Sequence, residues 1–446
     1  MASATLTSRS RIADLQGASR LAVDATTGLA EVVEAMHQAI SCFPRLRGAP
    51  PNGRTRGITG LVYGSIRGVT RGVGRGVDVL LPAIARTRDL RASSARWDAA
   101  LAALNGVVGD HLESTGNPLA IAMRLSHEGR PLSLERRALG VDVPRPGGRL
   151  LVMVHGLCVG RRQWNRLGHD HGAALGRDLG YTVLYLDYNS GLHVSANGRA
   201  LAEQLEALVA QWPVPVEELA IVGHSMGGLV ARSACHHAAT AGHRWPRRLR
   251  ALVFLGTPHH GAPLERAGNW VDALSGISRY TAPLGRLGRI RSAGITDLRH
   301  GSLLDADWKG HDRFELRRDR RSPVPLPDDV HCCAIAATTA SASRAGRRLP
   351  GDGLVPLDSA LGRHRKPGWT LSFPASRLWV GHGMNHFDLL SRPEVYQRIR
   401  GWLRDSRVGA GRSARARTST RARKGSRTPT SRAAQGSPDS RRNRRC

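Results

Sequence analysis

Four apolar runs restrict what this chain can fold into: GRLLVMVHG (148–156), YTVLYLDYN (181–189), ELAIVGHS (218–225) and LRALVFLGTP (249–258). Each is rich in Val, Leu and Ile and lacks the alternation of a half-exposed strand, so each fits a strand buried on both faces. Between them LAEQLEALVAQW and GGLVARSACHHAA carry helical spacing. Continuously apolar strands alternating with helices predict an α/β fold, a mostly parallel sheet with helices on both faces. Strand-like runs resume at VHCCAIAAT (330–338) and RLWVG (377–381).

Around this α/β region, residues 116–406, three other stretches are expected. Residues 1–115 read as a helical N-terminal region, with Leu21, Ala25, Leu29, Val32, Val33, Met36 and Ile40 at three- and four-residue steps. Farther on, Gly60, Gly64, Gly68, Gly72 and Gly76 form a helical stripe beside Arg67, Arg71 and Arg75. Glycine costs about 1 kcal/mol per helix position against alanine, so close packing of a second helix is the expected reason. A basic helix lying on a lipid surface is the alternative. Residues from about 263 to 325 lose the strand–helix alternation and read as a cap insertion. From 407 to 446 the chain is Arg, Ser, Thr, Gly and Ala without apolar period and reads as a disordered tail.

Within the third run, Gly223-His224-Ser225-Met226-Gly227 fits G-x-S-x-G between an apolar strand and a helix. That setting is the one a nucleophile elbow requires, with small neighbours to tolerate a strained serine and a helix N-terminus beneath it. A serine nucleophile needs a base, and the base an orienting acid, in the chain order Ser, Asp or Glu, His. Asp352, between two glycines in LPGDGLVPLDSALG, is preferred to Asp358 as the acid. His386, immediately before the closing helical run, is preferred to His382 as the base, and Asp388 reads as a helix N-terminal acid. Backbone N–H groups of Leu157, after the strand 150–154, and of Met226 are expected to form the oxyanion hole. His155, Gly156, His224 and His259 are expected as turn or pocket residues. No metal is expected, since His259 and His260 lack a carboxylate or cysteine at ligand spacing.

Taken in order, His155-Gly156, Gly223-His224-Ser225-Met226-Gly227-Gly228, Gly256-Thr257-Pro258-His259-His260-Gly261, Gly351-Asp352-Gly353 and His386 resemble lipase-type α/β-hydrolases. The set is similar to a bacterial esterase and lipase group related to the PGAP-one-like lipases, over roughly residues 145–405. The resemblance implies a cofactor-free hydrolase of carboxylic or lipid acyl esters, with Ser225, Asp352 and His386 as the triad. An acyltransferase or thioesterase on the same site is the nearer alternative. A catalytically inactive scaffold that binds anionic membrane or nucleic acid is the more distant one.

The last alternative arises from the net charge of +31. Residues 407–446 hold 13 Arg or Lys against the single acid Asp439, so +12 of the +31 lies there. Of the basic residues only Lys309, Lys366 and Lys424 are lysine, a bias that fits a GC-rich coding background. A small ester or lipid is therefore the expected partner, with peripheral contact to anionic membrane allowed and nucleic acid not expected as a specific partner. The start MASATLTSRSRIADLQ has no apolar core of a signal peptide, and no 18-residue apolar stretch exists. Six cysteines without metal-ligand spacing read as free thiols, and the chain is expected in the cytoplasm.

Overall fold

The computed structural model describes residues 13–24, 95–262, 292–310, 312, 319–342 and 350–406. The Gly60–Gly76 stripe, most of the residues 21–40 periodicity, residues 263–291 of the expected cap and the tail lie outside them. Eight strands among the described residues form one sheet. They are β1 (Arg124–His127), β2 (Arg130–Pro131), β3 (Arg149–Val154), β4 (Thr182–Asp187), β5 (Glu218–His224), β6 (Leu249–Leu255), β7 (His331–Thr338) and β8 (Leu378–His382). Their order across the sheet is β8-β7-β6-β5-β3-β4-β1-β2. The six strands from β3 onward are parallel, and the β1–β2 hairpin adds an antiparallel edge against β4. This is the α/β-hydrolase architecture expected from the sequence.

The helices are α1 (13–24), α2 (Ala95–Ser114), α3 (Arg136–Asp142), α4 (His171–Leu179), α5 (Val194–Gln211), α6 (Met226–Ala241), α7 (Ala293–Asp297), α8 (Leu357–Ala360) and α9 (393–406). Side chains of a strand alternate between faces, and β3 shows both being filled. Leu150, Val152 and Val154 join Leu219 and Ile221 of β5 in the layer under α5 and α6. Leu151 and Met153 join Ala220 and Val222 in the layer under α4 and α9. Full burial on both sides is why these runs contain no polar alternation. Local chemistry sets the helix limits: the Asp170 carboxylate accepts the Ala173 amide at the start of α4, and Gly180 closes it at φ 71°. Among the described residues no helix is long and apolar enough to cross a membrane.

Two features position the site. The chain runs from β3 to β4 on one side and then crosses to β5 on the other, so β3 and β5 flank a topological switch point. A crevice forms outside the carboxyl ends of strands at such a point. Meanwhile α2, kinked at Val108, lies against the loops that leave β3 and β4. Asn189 donates through Nδ2 to the Gly109 carbonyl at 2.8 Å, and Ser292 donates through Oγ to the Gly106 carbonyl at 2.6 Å. Leu112 of α2 packs with Leu119 of the segment that follows it and with Leu21 of α1, and Asn117 of that segment donates through Nδ2 to the Gly17 carbonyl of α1.

Candidate active site

Ser225 stands between the end of β5 and the first residue of α6 with φ 54° and ψ −125°. Positive φ is uncommon outside glycine and holds the side chain out at the tip of a tight turn. The turn is pinned by the Ser225 amide, which donates to the Leu255 carbonyl of β6 at 2.8 Å. Small neighbours are obligatory: a Cβ on Gly223 would fall 2.7 Å from Gly228 Cα, and one on Gly227 would fall 2.3 Å from the Val154 carbonyl oxygen. The second contact seats α6 directly on the end of β3. Ser225 is 1% exposed, and its Oγ has no hydrogen-bond partner among the described residues.

The loop after β3 passes beside this serine, where a Cβ on Gly156 would lie 3.1 Å from Ser225 Cβ. His155 shapes it. Its ring stacks on Tyr188 at 4.3 Å, the Tyr188 hydroxyl donates to the His155 carbonyl, and His155 Nδ1 donates to the Gly156 carbonyl at 2.9 Å. Burial lowers the pKa of His155, so the ring is neutral. Leu157 follows, buried, and Cys158 at φ 59° gives its amide to Ser190 Oγ. Because the Gly156–Leu157 peptide is planar and trans, fixing its carbonyl on His155 turns the Leu157 N–H to the opposite side.

Asp352 and His386 meet across loops that follow β7 and β8. Asp352 Oδ1 accepts the Leu354 and Val355 amides at 3.0 and 2.8 Å, and Oδ2 accepts His386 Nδ1 at 2.7 Å. Both residues are buried, and the His386 amide also donates to the Asp352 carbonyl. His224, adjacent to Ser225, ties this pair to the elbow. Its ring lies 4.6 Å from that of His386, and its Nε2 donates to the His386 carbonyl at 3.3 Å. Burial, followed by the nearby His386, holds the His224 pKa well below its usual value, so it serves as a neutral brace.

The competing residues stand elsewhere. Asp358 is exposed at the start of α8, 3.9 Å from Arg363. His382 ends β8 at the sheet edge, and Asp388 accepts the Asn385 amide. His259 is buried, but it lines a cavity of about 480 Å³ with Arg232, Arg321 and Trp369 that Ser225, Asp352 and His386 do not line. Sequence reasoning missed Ser190, Tyr188 and Arg232. The signal for Arg232 was a cation in an otherwise apolar stretch of α6 buried along its length. Ser190 and Tyr188 touch the loop only across the sheet, and nothing local marks them. Cys158, Cys235, Cys332 and Cys333 are buried free thiols, while Cys42 and Cys446 lie outside the described residues.

Residues 145–322 match the family model described as the PGAP1-like alpha/beta domain, so the family resemblance read from the motifs holds over that span. Lipase BlEst2 of Bacillus licheniformis in its mature form is similar at 18% identity, over 60% of this chain and 92% of that one, with a TM-score of 0.34. Lipase B of Aspergillus fumigatus is similar at 11% identity, over 61% and 54%, with a TM-score of 0.36. A thermophilic esterase from Thermogutta terrifontis is similar at 17% identity, over 64% and 93%, with a TM-score of 0.32. Comparison with curated proteins gives no match.

Proposed function

We propose that the protein is a serine hydrolase that cleaves carboxylic esters, lipid acyl esters among them, through Ser225, His386 and Asp352. The observation that carries this reading is the buried Asp352–His386 pair, 2.7 Å apart, braced against the residue next to a serine held at φ 54°. A carboxylate that accepts Nδ1–H leaves Nε2 of His386 as the basic nitrogen. His386 takes the Ser225 proton as Oγ attacks the ester carbonyl, and it then protonates the departing alcohol. Water repeats the sequence on the acyl-enzyme. The Leu157 and Met226 amides hold the oxyanion, the first oriented by the bond from His155 to the Gly156 carbonyl and the second placed at the N-terminus of α6.

Ser225→Ala is expected to abolish hydrolysis of short and long p-nitrophenyl esters and to remove fluorophosphonate labelling seen with the wild type. Unlabelled wild type with hydrolysis unchanged in the variant would exclude this function.

A further inference from the structure

The cavity of about 480 Å³ lies on the α6 face of the sheet, between the loop after β6, residues 321–330 and residues 368–377. Its volume is within the range of small-molecule sites. Arg232, Arg321 and Arg377 line it, and the two buried guanidinium groups, Arg232 and Arg321, are placed differently. Arg321 is matched by the Asp319 carboxylate through Nε and Nη2, and its Nη1 donates to the His259 and Gly301 carbonyls. Arg232 is 4% exposed and meets no carboxylate among the described residues. Its Nη2 donates to the Val324 carbonyl, its Nη1 lies 3.3 Å from His259 Nδ1, and its Nε has no partner among the described residues.

The Arg232–His259 contact fixes a tautomer. A guanidinium has only N–H donors, so His259 Nδ1 is the acceptor and His259 Nε2 carries the hydrogen. That Nε2 is buried and also lacks a partner among the described residues. The wall therefore holds two buried donors, one on a full positive charge, with no acceptor for either among the described residues. Asp307, Asp328 and Asp329 also line the cavity, but Asp307 accepts the Leu303, Leu304 and Ser322 amides, and Asp328 and Asp329 are exposed. Burial and the neighbouring Arg321 charge push the Arg232 pKa down to about 10, which is still cationic at neutral pH. A buried charge without a counterion is strongly unfavourable unless something supplies one. Apolar walls from Val324, Leu371 and Trp369 flank the cations.

We propose that this cavity is a binding site for a phosphate or carboxylate group carried on a small organic body, separate from the Ser225 crevice. The anion accepts from Arg232 and His259, and the apolar wall takes the attached carbon chain. A free organic phosphate and an anionic lipid headgroup share this chemistry.

Thermal unfolding of the full chain tests it, at constant ionic strength, with chloride replaced by inorganic phosphate, by glycerol phosphate, or with added phosphatidic acid vesicles. The wild type and Ser225→Ala are expected to show the same saturable rise in Tm. Arg232→Met is expected to weaken the apparent affinity by about tenfold or more, as for a lost charged hydrogen bond. The Arg-rich 407–446 segment is common to all these chains, so anions that bind there leave no difference between them. His259→Phe removes a donor but no charge, and it carries the same comparison if Arg232→Met does not fold. A response to the soluble phosphates identifies a free anion as ligand, and a response to vesicles alone identifies a headgroup. Absence of a saturable shift in all three arms, or an equal shift in wild type and variants, overturns the proposal.

Discussion

Ser225 holds a backbone conformation that costs a non-glycine residue on the order of 1–3 kcal/mol, and the surrounding contacts keep it there. The pairing of Asp352 shows how little freedom exists beside it. All three of its partners, the Leu354 and Val355 amides and His386 Nδ1–H, are donors. A carboxamide replaces one acceptor oxygen with an NH2 donor group, so Asp352→Asn must either give up the loop bonds or force His386 into the other tautomer. On the proposed mechanism kcat falls by about 10³–10⁴ while KM changes little. Steady-state kinetics on a p-nitrophenyl ester checks this, and a loss below tenfold would contradict the role of Asp352. As candidates, Ser225, Asp352 and His386 were legible because their signals are local: small residues around a strand end, an acid between glycines, a histidine before a helix. The role of His155 in orienting the Gly156–Leu157 peptide was not, because it depends on Tyr188 from the loop after β4.

At the scale of elements, the strands were readable because burial on both faces leaves an unbroken apolar run; five of the six parallel strands fall within a run identified in the sequence, and β8 extends one residue past its run, to His382. The placement of α2 was not readable. Its sequence announces a helix, but what it packs against is set by loops 50 to 80 residues further on. Gly106 makes that contact tight: a Cβ there would fall 2.2 Å from Cys158 Sγ and 2.7 Å from Cys158 Cα. The second atom is backbone and cannot turn aside. Gly106→Val therefore displaces Cys158, and with it Leu157, the preceding residue. A displacement of about 1 Å near reacting groups can cost on the order of 100-fold. We expect kcat on a short ester to drop by more than tenfold in Gly106→Val, with the fluorophosphonate still labelling Ser225 slowly. Wild-type kcat in this variant would show that α2 does not position the loop.

For the molecule as a whole, acid stability depends on buried histidines and on net charge, and the two can be separated. Burial lowers His171 from 6.5 to about 4, against the opposing bond from its Nε2 to the Leu389 carbonyl, and burial lowers His260 to about 4 as well. His155, His224 and His259 shift in the same direction for the same leading cause. In each case the folded protein holds the neutral ring while the unfolded chain takes up a proton near its ordinary pKa. Between about pH 6.5 and pH 4 the unfolded state thus binds more protons, and stability falls as pH falls; above 6.5 this contribution is fully present. Self-repulsion of a chain at +31 acts in the same direction as further groups become protonated. Salt distinguishes them, because exposed charges are screened beyond about 8 Å at 0.15 M ionic strength while buried groups are screened far less. Urea denaturation at pH 7.5, 6.0 and 5.0 is expected to show decreasing stability at both low and high salt. Substituting His171 by Gln, which keeps a donor for the Leu389 carbonyl, is expected to flatten the slope at high salt by about one proton. A pH dependence that disappears in high salt would assign acid sensitivity to the surface arginines and not to the histidines packed behind the segment that carries His386.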